Sequence, residues 1–438
     1  MGLIDFLLRL FGLKGTDRTE ASAPARPSSV RRSGPTQKKT ILRRLKFVRE
    51  RWYSVKKSPQ RLTSQTRPFS IPEVKTVRPY PFANHSNLGN GYLDLSQDGD
   101  AAQLNELELP HFSNPLELAN WLQIPVGQLA WLTNQFEEGY VPKTEASAHY
   151  HHHWMPKRNY GCRLIESPKP LLKQVQRRIL RDILDNVPAH SAAHGFVQGN
   201  SILTNAQPHC GQRVILKFDL ENFYPHVRFP MVTAIFRSMG YSREAAIWLA
   251  RLCTSRLPLN SKPPSANPEA YWLYRPAHLP QGAPTSPALA NLAAYSLDLR
   301  LDGLARAFGA KYTRYADDLT FSGDERFLHR LKAFIPFVSQ IIKECGFTMH
   351  KAKRRIIRSN QHQSVTGVTV NEHPNINRKE YDRLRAILHN CVRHGAESQN
   401  REQHPDFQAH LRGRIAHAKQ LNPKKGEKLQ AIYERITW

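Results

Sequence analysis

The sequence is poor in cysteine and has no long apolar run. Its five cysteines are scattered and form no CxxC pair, which argues against a disulfide framework or a cysteine zinc site and fits a reducing compartment. No apolar run approaches the ~20 residues of a membrane-spanning helix, so we expect a cytoplasmic protein without a transmembrane segment. The apolar segment 2–13 lacks a basic leader and a cleavage site, which favours a docking helix over a signal peptide. P-loop, GxSxG and zinc-ligand spacings are also missing from the sequence.

Acidic residues are scarce as well. The chain carries 36 Asp and Glu against 63 Lys and Arg, a formal net charge of +27. This excess predicts a polyanionic partner, with nucleic acid as the first candidate; a solvated basic surface and an anionic lipid surface are the alternatives. Residues 1–80 hold 19 Lys or Arg and 5 Asp or Glu, with few aliphatic residues. Such a tail binds phosphates by counterion release or serves as a plain linker.

Composition and periodicity divide the chain into four regions. Residues 1–110 are predicted to be a basic, largely disordered extension, and residues 111–148 a small helical region whose first helix starts at Ser113. Residues 149–374 form the large domain, which mixes strands and helices. Residues 375–438 are polar with a helical pattern, which suits a subdomain that lies along a duplex.

Acidic residues stand at the ends of predicted strands in two distant segments. Residues 213–219 (RVILKFD) alternate like a half-buried strand that ends at Asp219. Residues 312–321 predict a β-hairpin whose turn holds Asp317 and Asp318. Adjacent carboxylates in an apolar setting need neutralisation, and hard divalent cations supply it. If Asp219 lies beside this turn, the three acids can hold two Mg²⁺ ions, with Mn²⁺ as a possible substitute. The alternative is a solvated turn, which the hydrophobic flanks disfavour.

Four motifs, in order, resemble the palm motifs of reverse transcriptases. They are FDLENFYPHV (218–227), LPQGAPTSPALANL (279–292), YADD (315–318) and GFTMHKAKRR (346–355). The resemblance implies an RNA-directed DNA polymerase with an α+β fold. Its right-hand architecture has fingers, a palm with an antiparallel sheet and a helical thumb, preceded here by the N-terminal extension.

The same resemblance implies a role for each motif residue. Asp219, Asp317 and Asp318 match the metal ligands, and Lys353 matches the lysine that protonates the leaving pyrophosphate. The nucleotide-binding positions are Tyr224 as the sugar gate, Gln281 and Gly282 beside the incoming dNTP, and Arg163 and the weaker match Lys157 on the triphosphate. For Tyr224 the alternative is a core aromatic, and for Lys353 a solvated basic run.

Two further signatures resemble the retron subgroup of reverse transcriptases. An NAxxH signature stands at 205–209 and a VTG signature at 365–367. The resemblance implies that they recognise RNA, through Asn205, His209, Val365, Thr366 and Gly367. It also implies a structured non-coding RNA partner, DNA synthesis primed from a guanosine 2′-hydroxyl, and a branched, msDNA-like RNA–DNA product. Retrons are associated with antiphage defence beside an effector protein. The long N-terminal extension resembles the longer myxobacterial-type members.

Two other functions stay open from the sequence. One is a reverse transcriptase of another bacterial group, such as a group II intron-like, diversity-generating or other defence type. The other is an inactive RNA-binding scaffold, against which the intact acid set argues. The histidines at 149 and 151–153 suggest either a metal site or, as we prefer, a strand with alternating exposed histidines.

Overall fold

The computed structural model describes residues 72–83, 91–134, 142–157, 161–262 and 269–438. The predicted docking helix at 2–13 and most of the basic tail lie outside these residues. The strands are β1 (Glu73–Lys75), β2 (Tyr92–Asp94), β3 (Tyr150–Pro156), β4 (Cys162–Pro168), β5 (Val214–Asp219), β6 (Lys311–Tyr315), β7 (Asp318–Gly323), β8 (Arg355–Arg358), β9 (Ser364–Val365) and β10 (Val368–Thr369).

Helices surround these strands and close the chain. In chain order they are α1 (Ala101–Glu106), α2 (Pro115–Leu122), α3 (Val126–Leu132), α4 (Pro170–Asp182), α5 (Ile202–Ala206), α6 (Phe223–His226), α7 (Phe229–Met239), α8 (Arg243–Cys253), α9 (Glu269–Tyr274), α10 (Ser286–Ala293), α11 (Tyr295–Phe308), α12 (Glu325–Glu344), α13 (Arg378–His394), α14 (Phe407–Leu421) and α15 (Pro423–Tyr433). Within the described ranges, no helix has both the length and the apolar character needed to cross a membrane.

A four-stranded antiparallel sheet in the order β6-β7-β5-β8 occupies the centre of the large domain. The alternation in 213–219 predicts a half-buried strand, yet Val214, Ile215 and Leu216 are all 0% exposed. Val214 and Leu216 belong to the main hydrophobic core, whereas Ile215 belongs to a second core shared with the C-terminal helices. β5 is therefore covered on both faces, and this part of the prediction was wrong.

The longest helix shows how the sequence encodes its elements. The Asp324 carboxylate accepts a hydrogen bond from the Phe327 backbone N–H at 3.0 Å and so caps α12. Phe327, Leu331 and Phe334 follow at helical spacing and are buried against the sheet. The helix thus covers the face of the sheet that belongs to the main core.

The predicted disordered extension needs correction between residues 73 and 106. Among the described residues of this stretch, Glu73–Lys75 and Tyr92–Asp94 form the β1–β2 pair, and Ala101–Glu106 forms α1. The Asp98 carboxylate binds the guanidinium of Arg237 at 2.9 Å and that of Arg243 at 2.9 Å, which fixes the segment to α7 and α8. Partners this distant in the chain cannot be recognised from local composition. The next helix, α2, is capped by Asn114 rather than by the predicted Ser113.

Candidate active site

The three acidic side chains singled out in the sequence come together at one end of the central sheet. Asp219 is the last residue of β5 and Asp318 the first of β7, and the antiparallel register sets them opposite each other. Directly opposed residues point to the same face of a sheet. The Leu220 N–H donates to the Asp317 carbonyl at 2.9 Å, which keeps the end of β5 against the turn.

The turn between β6 and β7 is short and strained. Ala316 and Asp317 are its two central residues, and Ala316 has a φ of 54°. Two-residue hairpin loops need this left-handed region, which an L-residue enters only with strain. The backbone of Gly195 lies against the turn, where an added Cβ would come within 2.7 Å of the Ala316 nitrogen. Position 195 therefore has room only for glycine.

A buried polar network supports the turn from below. The Arg314 side chain is 0% exposed and donates to both Asp298 carboxylate oxygens, at 2.8 and 2.6 Å. It also donates to Asn291 Oδ1 at 2.9 Å and to the Ala316 carbonyl at 3.1 Å. Asn291 Nδ2 in turn donates to the Gly195 carbonyl at 2.8 Å. We call Arg314, Asp298 and Asn291 the turn clamp.

The buried charge of Arg314 is balanced within the turn clamp, whereas the charges of the acids at the turn are not fully balanced. Burial opposes ionisation of Arg314, but the Asp298 carboxylate outweighs it and holds the pKa of Arg314 above its usual value. Burial raises the pKa of Asp317 to about 6, with further contributions from Asp318 and Asp219. Burial also raises the pKa of Asp318, and Asp219 adds to that rise. Negative charge at the turn is thus incompletely neutralised.

Lys353 supplies a countercharge to Asp219. Its Nζ lies 3.1 and 3.0 Å from the two Asp219 carboxylate oxygens. In the described part of the chain, no group of three His, Cys, Asp or Glu side chains has the arrangement of a ready-made metal site. The donor set still suits a metal, because Asp219, Asp317 and Asp318 offer hard oxygen ligands whose mutual repulsion a divalent cation relieves.

Tyr224 lies beside the acids, in α6. Burial raises the pKa of the Tyr224 phenol to about 12, and the Asp317 charge adds to the effect. The neighbouring Phe223 is a core residue, as the sequence suggests: it is buried and its ring centroid lies 5.6 Å from that of Phe347. Tyr224 itself is partly exposed, so its ring lies at the border of the site.

Gln281 and Gly282 precede α10 and are fixed to the β3–β4 hairpin. The Glu166 N–H on β4 donates to the Gln281 carbonyl at 2.9 Å. Gly282 has a φ of 136°, and a Cβ there would lie 2.9 Å from the Glu166 carbonyl oxygen. Both the backbone conformation and the close approach therefore require glycine.

Arg163 and Lys157 project from the outer half of the β3–β4 hairpin. Both are exposed, and Arg163 stands opposite Met155. In the part of the chain that the structure describes, neither side chain forms an ion pair with Asp219, Asp317 or Asp318. The sequence predicts a turn at residues 159–161 between the two strands; residues 158–160 lie outside the described part of the chain.

The base of the same hairpin is buried and polar. Glu166 and His278 are both 0% exposed and lie 2.9 Å apart, between the Glu166 carboxylate and His278 Nε2. Although burial opposes it, the adjacent His278 lowers the pKa of Glu166. His152, opposite Glu166, points inward, whereas His151 and His153 are exposed. The histidine run is therefore a strand with alternating faces, as preferred from the sequence.

The two short signatures pack against each other inside the protein. Asn205 is 1% exposed, and its Nδ2 donates to Thr366 Oγ1 at 3.4 Å. Val365 is fully buried in the second core, while Gly367 is exposed. Thr366 and Gly367 have φ values of 46° and 84°, so the VTG turn is left-handed. We call Asn205, His209, Val365, Thr366 and Gly367 the signature cluster.

His209 joins this cluster to the central sheet. Its ring is 0% exposed, with Nδ1 at 2.7 Å from Ser322 Oγ and Nε2 at 2.8 Å from Thr313 Oγ1. Burial lowers the pKa of His209 to about 3, so the imidazole is neutral at physiological pH. The structure thus gives both ring nitrogens protein partners, and an RNA contact by His209 stays a prediction.

The sequence did not indicate the turn clamp or Phe196. Arg314 has the one available signal, a charged residue within an apolar strand, which demands a buried partner. Phe196 is 59% exposed, and its ring centroid lies 6.1 Å from that of Tyr315. The residues that flank Phe196 form no motif that would place this aromatic beside the acid turn.

Comparisons with known proteins agree with the motif resemblance. A family profile described as "Reverse transcriptase (RNA-dependent DNA polymerase)" matches residues 155–370. The retron Mx65 reverse transcriptase of Myxococcus xanthus is 41% identical over 75% of this chain and 73% of its own length. The retron Mx162 reverse transcriptase of the same organism is 36% identical over 70% of the chain, and the chain spans 64% of it. The retron Ec86 reverse transcriptase of Escherichia coli is 35% identical over 52% of the chain and 64% of its own length.

Proposed function

This chain belongs to the retron reverse transcriptases and is an RNA-directed DNA polymerase, and from that premise we propose that it copies part of a structured non-coding RNA by two-metal nucleotidyl transfer. The observation that carries the proposal is the β5–β7 register, which sets Asp219 opposite Asp318. The adjacent Asp317, whose pKa is raised to about 6, adds a third oxygen ligand. Mg²⁺ is the first choice for such ligands, with Mn²⁺ as a substitute.

The described elements fit a right-hand polymerase. The four-stranded sheet corresponds to the palm, the β3–β4 hairpin to the fingers, and α13–α15 to a thumb within residues 375–438. This last region carries 13 Lys or Arg against 7 Asp or Glu, which supports a position along a polyanionic duplex. Its apolar side chains form the second core with one face of β5.

The chain's own residues support each part of the transfer reaction. When bound, the divalent ions would activate the primer hydroxyl and stabilise the leaving pyrophosphate. Asp219, Asp317 and Asp318 would hold those ions. Lys353, whose Nζ lies 3.0 Å from an Asp219 oxygen, would deliver a proton to the leaving group.

The incoming dNTP is held by residues on three sides. The Tyr224 ring excludes a 2′-hydroxyl and so selects deoxynucleotides. The backbone at Gln281 and Gly282 allows close approach of the nucleotide. Arg163, with Lys157, grips the triphosphate from the hairpin, for which a guanidinium fork is well suited.

The partner is a structured RNA that supplies both template and primer. We propose that the signature cluster shapes the surface that recognises this RNA, and that synthesis starts from a guanosine 2′-hydroxyl to give a branched, msDNA-like product. Together with an effector protein, such a product serves in antiphage defence. The five cysteines are free, which supports a reducing, cytoplasmic location.

Replacement of one ligand tests the polymerase assignment. Asp317→Asn should lower primer extension on an RNA template by about 1,000-fold or more, because a metal contributes several kcal/mol to the transition state. RNA affinity, measured by filter binding, should stay within about 2-fold of wild type, since one amide replaces one acid. Asp185→Asn, on an exposed acid, is the matched control. DNA synthesis by Asp317→Asn at the wild-type rate would remove the catalytic assignment.

The nucleic acid that co-purifies with the protein tests the retron type. We expect RNA joined to DNA through a 2′–5′ branch, detected as a reverse-transcription stop that a debranching enzyme removes. The Asp317→Asn protein is the control and should retain only RNA. Unbranched DNA from an active enzyme would favour another reverse transcriptase group, and RNA alone on an inactive wild-type enzyme would favour the scaffold.

A further inference from the structure

Phe196 has a conformation and an exposure that folding does not explain. Its φ is 60°, in the left-handed region that a side chain with a Cβ occupies only with strain. Its ring is 59% exposed and belongs to neither hydrophobic core. An exposed ring gains little from burial, so the strain is not offset by packing. Strained positions of this kind concentrate at functional sites.

The surrounding backbone imposes this conformation. The Arg314 N–H donates to the Ala192 carbonyl at 2.7 Å, and the His194 N–H donates to the Arg314 carbonyl at 2.8 Å. The Gly195 carbonyl accepts from Asn291 of the turn clamp at 2.8 Å. Residues 192–196, which we call the strap, are thus hydrogen-bonded to β6 and to the clamp beneath the acid turn. These bonds fix the backbone that leads into Phe196.

The strap directs Phe196 to the edge of the catalytic site. Its ring centroid lies 6.1 Å from that of Tyr315, with an interplanar angle of 43°. Tyr315 is two residues from Asp317, and Gly195 touches the backbone at Ala316. An exposed aromatic ring at this point therefore lies beside the acid turn, near which a polymerase must hold the end of its duplex.

We propose that Phe196 is a stacking platform for a nucleobase of the bound template–primer. This inference rests on the proposed function. Every base has a π-face, and stacking on an exposed aromatic is sequence-tolerant, as a polymerase requires. The turn clamp then serves two surfaces together, because it fixes both the metal-ligand turn and the ring that holds the substrate base.

Substitution of Phe196 separates substrate binding from stability. Phe196→Ala should raise the KM for an RNA template annealed to a DNA primer by about 5- to 100-fold, the effect of one stacked base, with the KM for dNTP unchanged. Phe196→Tyr should restore the wild-type KM. Phe196→Gly should show the same defect with an unchanged or higher Tm, because glycine removes the strain. Trp131→Ala, on an aromatic 47% exposed in α3, is the control and should leave KM unchanged.

A spectroscopic readout locates the stacked base. 2-Aminopurine placed at successive template positions should be quenched by the wild-type protein at one position near the primer end, and not by Phe196→Ala. Wild-type KM and quenching in Phe196→Ala, or a lower Tm in Phe196→Gly, would overturn the inference while leaving polymerase activity intact. A wild-type protein that extends no primer would instead overturn the proposed function, and a defect in dNTP KM alone would make Phe196 a nucleotide contact rather than a template–primer platform.

Discussion

The acid turn and the signature cluster occupy the same face of the β5–β7 pair but differ in how their polar groups are satisfied. At one end, Asp219 and Asp318 face each other with incompletely neutralised charge. Four residues along β7, Ser322 is buried against His209, which has protein partners at both ring nitrogens. A recognisable motif therefore shows that side chains are constrained. Only the structure shows whether a ligand or the protein itself imposes the constraint.

The largest effect should come from breaking the turn clamp. Arg314→Met leaves the Asp298 carboxylate buried without its partner, so we expect the free energy of unfolding to fall by about 3–5 kcal/mol in urea denaturation. Arg306→Met removes an arginine that pairs with Asp302 at the surface and should cost less than about 1 kcal/mol. Equal losses for the two variants would mean that the buried pair does not stabilise the turn.

A smaller loss should follow from removal of the His209 ring. His209→Leu leaves the Ser322 hydroxyl buried without its partner and removes one hydrogen bond of the Thr313 hydroxyl. We therefore expect the free energy of unfolding to fall by about 2–3 kcal/mol. RNA affinity, measured where the variant is fully folded, should stay near the wild-type value. If His209→Leu had wild-type stability but bound RNA tenfold less tightly, His209 would be an RNA contact. The signature cluster would then resemble the acid turn, whose side chains are arranged for a ligand.

The same histidine makes stability depend on pH. The unfolded chain protonates this imidazole near its usual pKa, whereas the folded chain, with a pKa of about 3, does not until strongly acid pH. Acid therefore favours the unfolded state, and stability falls as pH drops below about 6.5. His209→Gln keeps a hydrogen-bond donor and an acceptor but does not titrate. Between pH 7 and 5 its free energy of unfolding should therefore fall by about 2 kcal/mol less than that of the wild type. Parallel pH curves for the two proteins would show that His209 is not buried as described.

The smallest effect concerns the VTG turn. Gly367 has a φ of 84° and open space where a Cβ would stand, so Gly367→Ala should cost only backbone strain, about 1 kcal/mol. Gly199→Ala is a matched control with a φ of 79° and similarly open space, outside the signature cluster. Thermal denaturation should give similar losses for both. A selective loss of RNA affinity in Gly367→Ala would instead identify this exposed turn as part of the RNA surface.

Local patterns predicted the elements that depend on neighbours in sequence. The sequence around 150–165 predicts a strand pair, which is present as β3–β4, and the hairpin predicted at 312–321 is present as β6–β7, because alternation and turn residues encode both. Leu289, Leu292, Ser296 and Leu299 stand at helical spacing behind Ser286, which predicts one helix, but this stretch is split: α10 ends at Ala293 and α11 starts at Tyr295. No sequence pattern marked this break.

Features that depend on partners distant in the chain could not be predicted from the sequence. Burial of both faces of β5 requires the C-terminal helices, and the folding of 73–106 requires the arginines of α7 and α8. The register of β5 against β7 is likewise a long-range property. The site residues were selected by motif resemblance, whereas the turn clamp and Phe196 depend on contacts that no motif records.

The bond between Glu166 and Gln281 has a mechanical consequence. The hairpin is buried and hydrogen-bonded at its base, where Glu166 contacts the loop that contains Gln281 and Gly282, while Arg163 and Lys157 stand at its outer end. A displacement of the base of the hairpin would move Gly282 as well, since a Cβ on that glycine would lie only 2.9 Å from the Glu166 carbonyl oxygen. If Arg163 binds the triphosphate as proposed, a displacement of the hairpin would therefore also displace the loop at Gly282.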